Sequence, residues 1–93
     1  MTNVDVQHRD NSQRFTARTD SGLAYISYER PDRGTIDLQH TVVPEGDRGR
    51  GIGAALVQSA VAYARENGLR VIATCPFVKA WLDKNPDQQQ VLK

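Results

Sequence analysis

The hydrophobic pattern changes period once along the chain, and that change limits the possible folds more than any other feature. Up to Val43 apolar and polar residues alternate, as in strands. From Arg50 the apolar residues recur at helical spacing, and Gly49, Gly51 and Gly53 sit at the junction. The alternating part divides into four strand-like stretches: Val4 to Arg9, Arg14 to Thr19, Leu23 to Glu29 and Thr35 to Val43. The segments between them, Asp10-Asn11-Ser12, Asp20-Ser21-Gly22 and Arg30 to Gly34, are short and rich in turn formers. Phe15 and Ala17 are expected to face inward. In the longest strand Ile36, Leu38, His40 and Val42 share one face, and Thr35, Asp37, Gln39 and Thr41 the other. His40 is therefore expected to point toward the covered side of the sheet.

The helical pattern runs from Arg50 to Asn67. Ile52, Leu56, Ser59, Ala60 and Tyr63 form its apolar stripe, widened by Ala55 and Val57, with Ala54, Gln58, Ala62 and Arg65 opposite. Asn67-Gly68 is a C-terminal stop. Arg70 to Thr74 reads as a short strand, and strand, helix, strand in that order predicts a right-handed crossover with parallel pairing. Pro76 suits the first turn of a second helix, capped by Cys75 and ended by Asn85-Pro86, with a polar tail beyond. The fold class is thus α+β with a mixed sheet: a four-stranded antiparallel meander, a crossover helix, a fifth parallel strand and a second short helix. The whole of residues 1–93 reads as one domain.

The glycine junction also carries chemistry. A glycine-rich turn feeding a helix presents unpaired N–H groups and the positive end of the helix dipole, while Arg48 and Arg50 add charge. Such a turn suits a phosphate or pyrophosphate. A P-loop needs Lys and then Ser or Thr after its last glycine, and Gly53 is followed by Ala54-Ala55. Gly49-Arg50-Gly51-Ile52-Gly53-Ala54 fits a dinucleotide fingerprint, but Pro44 to Arg48 separate it from the preceding strand. Only 40 residues follow Gly53, too few for a doubly wound sheet. The remaining pattern, Arg-x-x-Gly-x-Gly, is met by Arg48, Gly51 and Gly53, and resembles the acetyl-CoA pyrophosphate loop of the GNAT N-acetyltransferase superfamily.

Two further residues could act chemically. Cys75, the single cysteine, falls where a parallel strand ends and a helix begins; ligands gather at such ends, and a helix N-terminus favours the thiolate. The bland reading is a small buried hydrophobe. His40 is the other candidate, because imidazole chemistry suits general base work, although a histidine on an apolar face is more often structural. His8 stands in a polar setting and is expected at the surface. The rest of the composition excludes several classes. The net charge of +1 argues against general binding to nucleic acid or an anionic membrane. No apolar run reaches membrane-spanning length, and one cysteine without paired Cys/His spacing gives neither a disulfide nor a metal site. Met1 to Asp5 lack the features of a secretory signal, so a cytoplasmic protein is expected.

Taken with His40-Thr41-Val42-Val43-Pro44 upstream and Cys75-Pro76-Phe77-Val78 downstream, the loop resembles that of the small GNAT-like N-acetyltransferase-domain family. The resemblance runs from about Leu23 onward, and the Cys-Pro-Phe-Val segment makes it specific. It implies acetyl-CoA as co-substrate and an amine acceptor, a small amine or a protein tail. It implies that the amides of Gly49, Arg50, Gly51, Ile52, Gly53 and Ala54, beside Arg48, hold the pyrophosphate, and that Val42 and Val43 pair with the pantetheine arm. The resemblance further implies that Cys75 lies near the acetyl group, with His40 close by, in a direct transfer; an acetyl-cysteine route is the variant. The chain departs from the family in having Asn85-Pro86-Asp87-Gln88 without the tyrosine usual there, and Trp81 is expected to pack. The elements that shape the acceptor pocket in larger relatives are nearly absent. This leaves open a coenzyme A-dependent sensor or partner module, a nucleotide-phosphate binder, and completion by a second copy.

Overall fold

In a computed structural model, which describes residues 5–93, the alternating segments pair in sequence order. Strands β1 (Val6–Arg9), β2 (Arg14–Thr19), β3 (Gly22–Glu29) and β4 (Thr35–Val42) form an antiparallel meander, and β5 (Arg70–Ala73) joins β4 in parallel. The expected first residue of β1, Val4, lies outside the described residues. Helix α1 (Ile52–Glu66) makes the crossover, and α2 (Pro76–Lys84) follows β5. One face of the sheet carries the core. Phe15 and Ala17 of β2, Ala24, Ile26 and Tyr28 of β3, and Ile36 and Leu38 of β4 are buried there with Val71, against both helices.

Helix α1 begins two residues later than its pattern suggests, because Gly51 occupies the cap position in a left-handed conformation (φ 80°, ψ 10°). Its buried side is Ile52, Gly53, Leu56, Val57, Ala60, Val61 and Ala64, so the stripe is turned toward Val61 and Ala64 from the expected Ser59 and Tyr63, which are half-buried. The stop is a Schellman motif: Leu69 N–H donates to Ala64 O (2.8 Å), Gly68 N–H to Arg65 O (3.4 Å), and Gly68 has φ 67°. Beyond α2 the tail is ordered. Residues Pro86–Val91 form a 3-10 turn, Leu92 bridges Val71, and Lys93 N–H donates to Val71 O, covering the outer edge of β5. The expected polar tail thus shields a sheet edge that would otherwise offer unpaired N–H and C=O groups.

Two expectations about histidines are overturned. His8 is half-buried, not a surface residue: its ring stacks on Phe15 (centroids 4.3 Å apart) and meets the edge of Tyr63, while Nε2 lies 2.5 Å from the Tyr28 hydroxyl. Burial lowers its pKa from the ordinary value, although Asp10 pulls the other way, and burial followed by Asp10 pushes Tyr28 up to about 12. His40 is exposed on the open face, and the cause is a bulge. Ser27 pairs with His40 and Tyr28 with Leu38, so Gln39 is an extra residue in β4. An inserted residue reverses the alternation. Past it, Thr41 and Val43 take the core side, and His40 and Val42 turn outward.

Gln13, after the turn Asp10–Ser12, has φ 54° and ψ 53°, and is the one non-glycine residue with positive φ among those described. Its backbone is well used, accepting from Tyr28 N–H (3.0 Å) and donating to Asp10 O (3.1 Å). Gln13→Gly should therefore relieve strain without loss of contacts. The expected gain is about 1 kcal/mol after the entropic cost of glycine, a rise in Tm of roughly 5 °C in a thermal melt.

Candidate active site

Two features of β4 open a cleft at one point. Parallel pairing with β5 stops at Leu38 and Ala73, with one more link from Cys75 N–H to Leu38 O (2.9 Å), and the bulge at Gln39 follows directly. From there β4 continues without a partner on that side, while the other chain turns into α2. Cys75 is the cap residue of α2 and Pro76 its first residue, so the thiol sits at the fork.

The loop between β4 and α1 forms one wall. Its backbone bonds run from Asp47 N–H to Pro44 O, Arg48 N–H to Glu45 O and Arg50 N–H to Asp47 O, and the first bond of α1 is Ala55 N–H to Gly51 O. The amides of Gly51, Ile52, Gly53 and Ala54 precede that bond and are the unpaired donors of a helix start. Gly49 (φ 84°) and Gly51 are both left-handed, and a Cβ on either would meet nothing within 4 Å. Their requirement is conformational. Gly53 differs: a Cβ there would lie 2.9 Å from Phe77 Cζ, so this glycine lets the ring lie against the helix. A groove of about 540 Å³ runs along these residues, from Arg48 and Gly49 past Gly53 and Ala54 to Val43, Val42 and Thr41.

Asp47, which sequence reasoning passed over as part of a spacer, is only 1% exposed. Its carboxylate accepts from the Thr19 hydroxyl and from Ser21 N–H (3.3 Å), and lies 3.7 Å from the Arg50 guanidinium. The Thr19 bond, then Ser21 and Arg50, hold its pKa below the usual carboxylate range despite burial. The β2–β3 turn therefore clamps the loop. Gly46 permits the contact, since a Cβ there would come within 2.5 Å of Ser21 Oγ. No local signal marks Asp47, because its burial depends on a hairpin more than twenty residues upstream. Arg50 faces Asp47 and Asp20 and is not among the residues lining the groove, whereas Arg48 is.

On the other side of the fork lies a second cavity, of about 640 Å³, which contains both Cys75 and His40. The two cavities share Thr41, Val42 and Phe77. Phe77 is 46% exposed and forms part of the wall of both. Cys75 is 5% exposed, and its Sγ is 3.4 Å from Thr41 Oγ1. Burial raises the thiol's pKa, but the Thr41 hydroxyl and the amides of Val78, Phe77 and Thr41 more than offset it, and the net shift is downward. Thr41→Val removes the hydroxyl at nearly constant shape. It should move the pH midpoint of thiol alkylation upward, because the Thr41 hydroxyl is the largest of the contacts that hold it down. Among the described residues no group of three or more His, Cys, Asp or Glu side chains could hold a metal ion.

The fold is shared with similar proteins. The sequence model described as GCN5-related N-acetyl-transferase matches residues 14–91. The chain is similar to Protein NATD1 of Bos taurus, at 34% identity over 85 residues, covering 89% of this chain and 75% of that protein. It is likewise similar to Protein NATD1 of Xenopus tropicalis, at 32% over 87 residues, covering 91% and 80%. Among solved structures, the NMR solution structure of a GCN5-like protein from Staphylococcus aureus superposes with a TM-score of 0.72 at 32% identity, over 100% of this chain and 91% of that one.

Proposed function

The chain belongs to the GCN5-related N-acetyltransferase family, and on that premise we propose that it transfers an acetyl group from acetyl-CoA to an amine by direct attack, assisted by Cys75 and His40. The observation that carries this reading is the shared wall. A groove edged by unpaired amides at one end reaches, at its other end, the residues that also enclose Cys75 and His40. The amides of Gly49 and of Gly51 to Ala54, with Arg48, would hold the pyrophosphate of the co-substrate, the anion suited to a helix start. The backbone of Val42 and Val43 would pair with the pantetheine arm. That arrangement brings the thioester to Thr41 and Phe77.

The uncharged acceptor amine enters from the open face and attacks the acetyl carbonyl carbon. A C–N bond forms, the C–S bond breaks, and His40, directly or through water, takes the proton lost by nitrogen. The Cys75 thiol, oriented by Thr41, gives its proton to the departing coenzyme A thiolate. A thiol 5% exposed and hydrogen-bonded on its inner side suits proton donation better than nucleophilic attack. A cytoplasmic setting would keep it reduced.

Calorimetric titration with acetyl-CoA, followed by coenzyme A release against a panel of amines, tests the reading. Saturable binding and amine-dependent release are expected. Binding without release for any amine would instead favour a sensor module, and no binding would remove acetyl-CoA from the account altogether.

A further inference from the structure

The open face of the sheet has its own charge pattern. Arg14 of β2 pairs with Ser27 of β3, and Ser27 pairs with His40 of β4, so the three side chains stand in one cross-strand row. Neighbouring strands are about 4.8 Å apart, which places Arg14 roughly 10 Å from His40 at the backbone. All three line the cavity that contains Cys75. Arg14 is the one residue of that lining with a permanent charge, since no Asp, Glu or Lys contributes. Its guanidinium lies 4.1 Å over the ring of Tyr25, the diagonal neighbour across the strand pair. Tyr25 pairs with Val42, so the stacked cation leans toward the wall shared with the loop groove. Stacking on a ring face restrains a guanidinium and leaves its in-plane N–H groups able to donate. Among the described residues no carboxylate forms an ion pair with Arg14, while Arg50 meets both Asp20 and Asp47 and Lys93 meets Asp32.

We propose that this row is the acceptor site and that Arg14 selects amines which also carry a carboxylate, holding that group while the amine lies near His40. The assignment of the cavity to the acceptor rests on the transferase reading above; the carboxylate preference rests on Arg14 and its surroundings. A stacked, half-buried guanidinium is the side chain best suited to planar recognition of a carboxylate. An acceptor with cationic groups only, such as a polyamine, would bring further positive charge to a cavity whose fixed charge is already positive. The distance between Arg14 and His40 favours an amine and a carboxylate separated by several bonds.

NMR titration of the whole protein with three probes of equal length, 6-aminohexanoate, hexanoate and hexylamine, tests the proposal without requiring turnover. Both carboxylates should shift the amides of Ser27 and His40, and hexylamine should not. Arg14→Gln, on an open face with no core contact to lose, should weaken both carboxylates at least tenfold and leave the spectrum otherwise folded. Equal shifts from hexylamine, carboxylate binding unaffected by Arg14→Gln, or no shift with any probe would each overturn it. Acetylation of 6-aminohexanoate is measured separately. If the carboxylates bind through Arg14 but no amine is acetylated, the transferase reading fails and the carboxylate site stands. If hexylamine is acetylated as well as 6-aminohexanoate, the reverse holds.

Discussion

Cys75→Ala is expected to lower kcat for acetyl transfer about a hundredfold to a thousandfold while changing the KM for acetyl-CoA by no more than about twofold. The split follows from where the thiol stands. Cys75 lines the cavity on the open side of the fork and is absent from the lining of the loop groove, so its loss should leave the hold on the co-substrate intact. On the proposed mechanism, what is lost is a proton donor at the departing sulfur. The substitution removes one buried atom beside Thr41, at a stability cost of about 1 kcal/mol, too little to unfold a domain of this size. Cys75→Ser keeps a donor of much higher pKa and should recover only a small part of the rate. Intact mass in acetyl-CoA alone gives an independent check: direct transfer predicts no stable acetyl adduct on the wild-type chain. An adduct lost in Cys75→Ala would instead favour the acetyl-cysteine route. A kcat unchanged in the alanine variant would remove the thiol from the mechanism.

Much of this site could be read from the chain because its parts are local. The change of period at Gly49 to Gly53, the short turns and the Asn67-Gly68 stop fix the order of elements. A single crossover helix then leaves little choice but a parallel fifth strand. The orientation of His40 could not be read so. Alternation along β4 is a count of residues, and one unpaired residue at Gln39 inverts the count from His40 onward. The same inversion brings Thr41 to Cys75, so the partner that tunes the thiol was assigned to the wrong face by the same reasoning that misplaced His40. Asp47 and Phe77 were missed for a different reason. Each takes its role from a segment distant in sequence, the Thr19–Ser21 turn for one and Gly53 for the other. His8 looked polar by its neighbours in sequence, yet its neighbours in space are Phe15, Tyr28 and Tyr63.

The three glycines were read as one motif, and their different surroundings give the second large effect. Gly51→Val should weaken acetyl-CoA binding about a hundredfold, comparable to losing two hydrogen bonds to a charged group. Space is not the obstacle, since a Cβ at Gly51 meets nothing within 4 Å; the obstacle is φ 80°. A left-handed conformation costs an L-residue about 1–2 kcal/mol, and a β-branched one is a genuine outlier there. The backbone relieves that strain by rotating, which turns the amides of Ile52 to Ala54 away from the groove. Gly51→Asn tests the cause, because asparagine tolerates this conformation, and should stay within about fivefold of wild type. Gly53→Ala acts differently: its Cβ meets the far end of the exposed Phe77 ring, which can swing aside. Its effect should be smaller, about tenfold by the same scale, and should come from a reshaped wall between the cavities. Calorimetry on the three variants, with circular dichroism to confirm folding, should therefore rank them Val, Ala, Asn in order of loss. A Gly51→Val chain that folds and still binds acetyl-CoA at wild-type strength would mean that the loop amides are not its phosphate site.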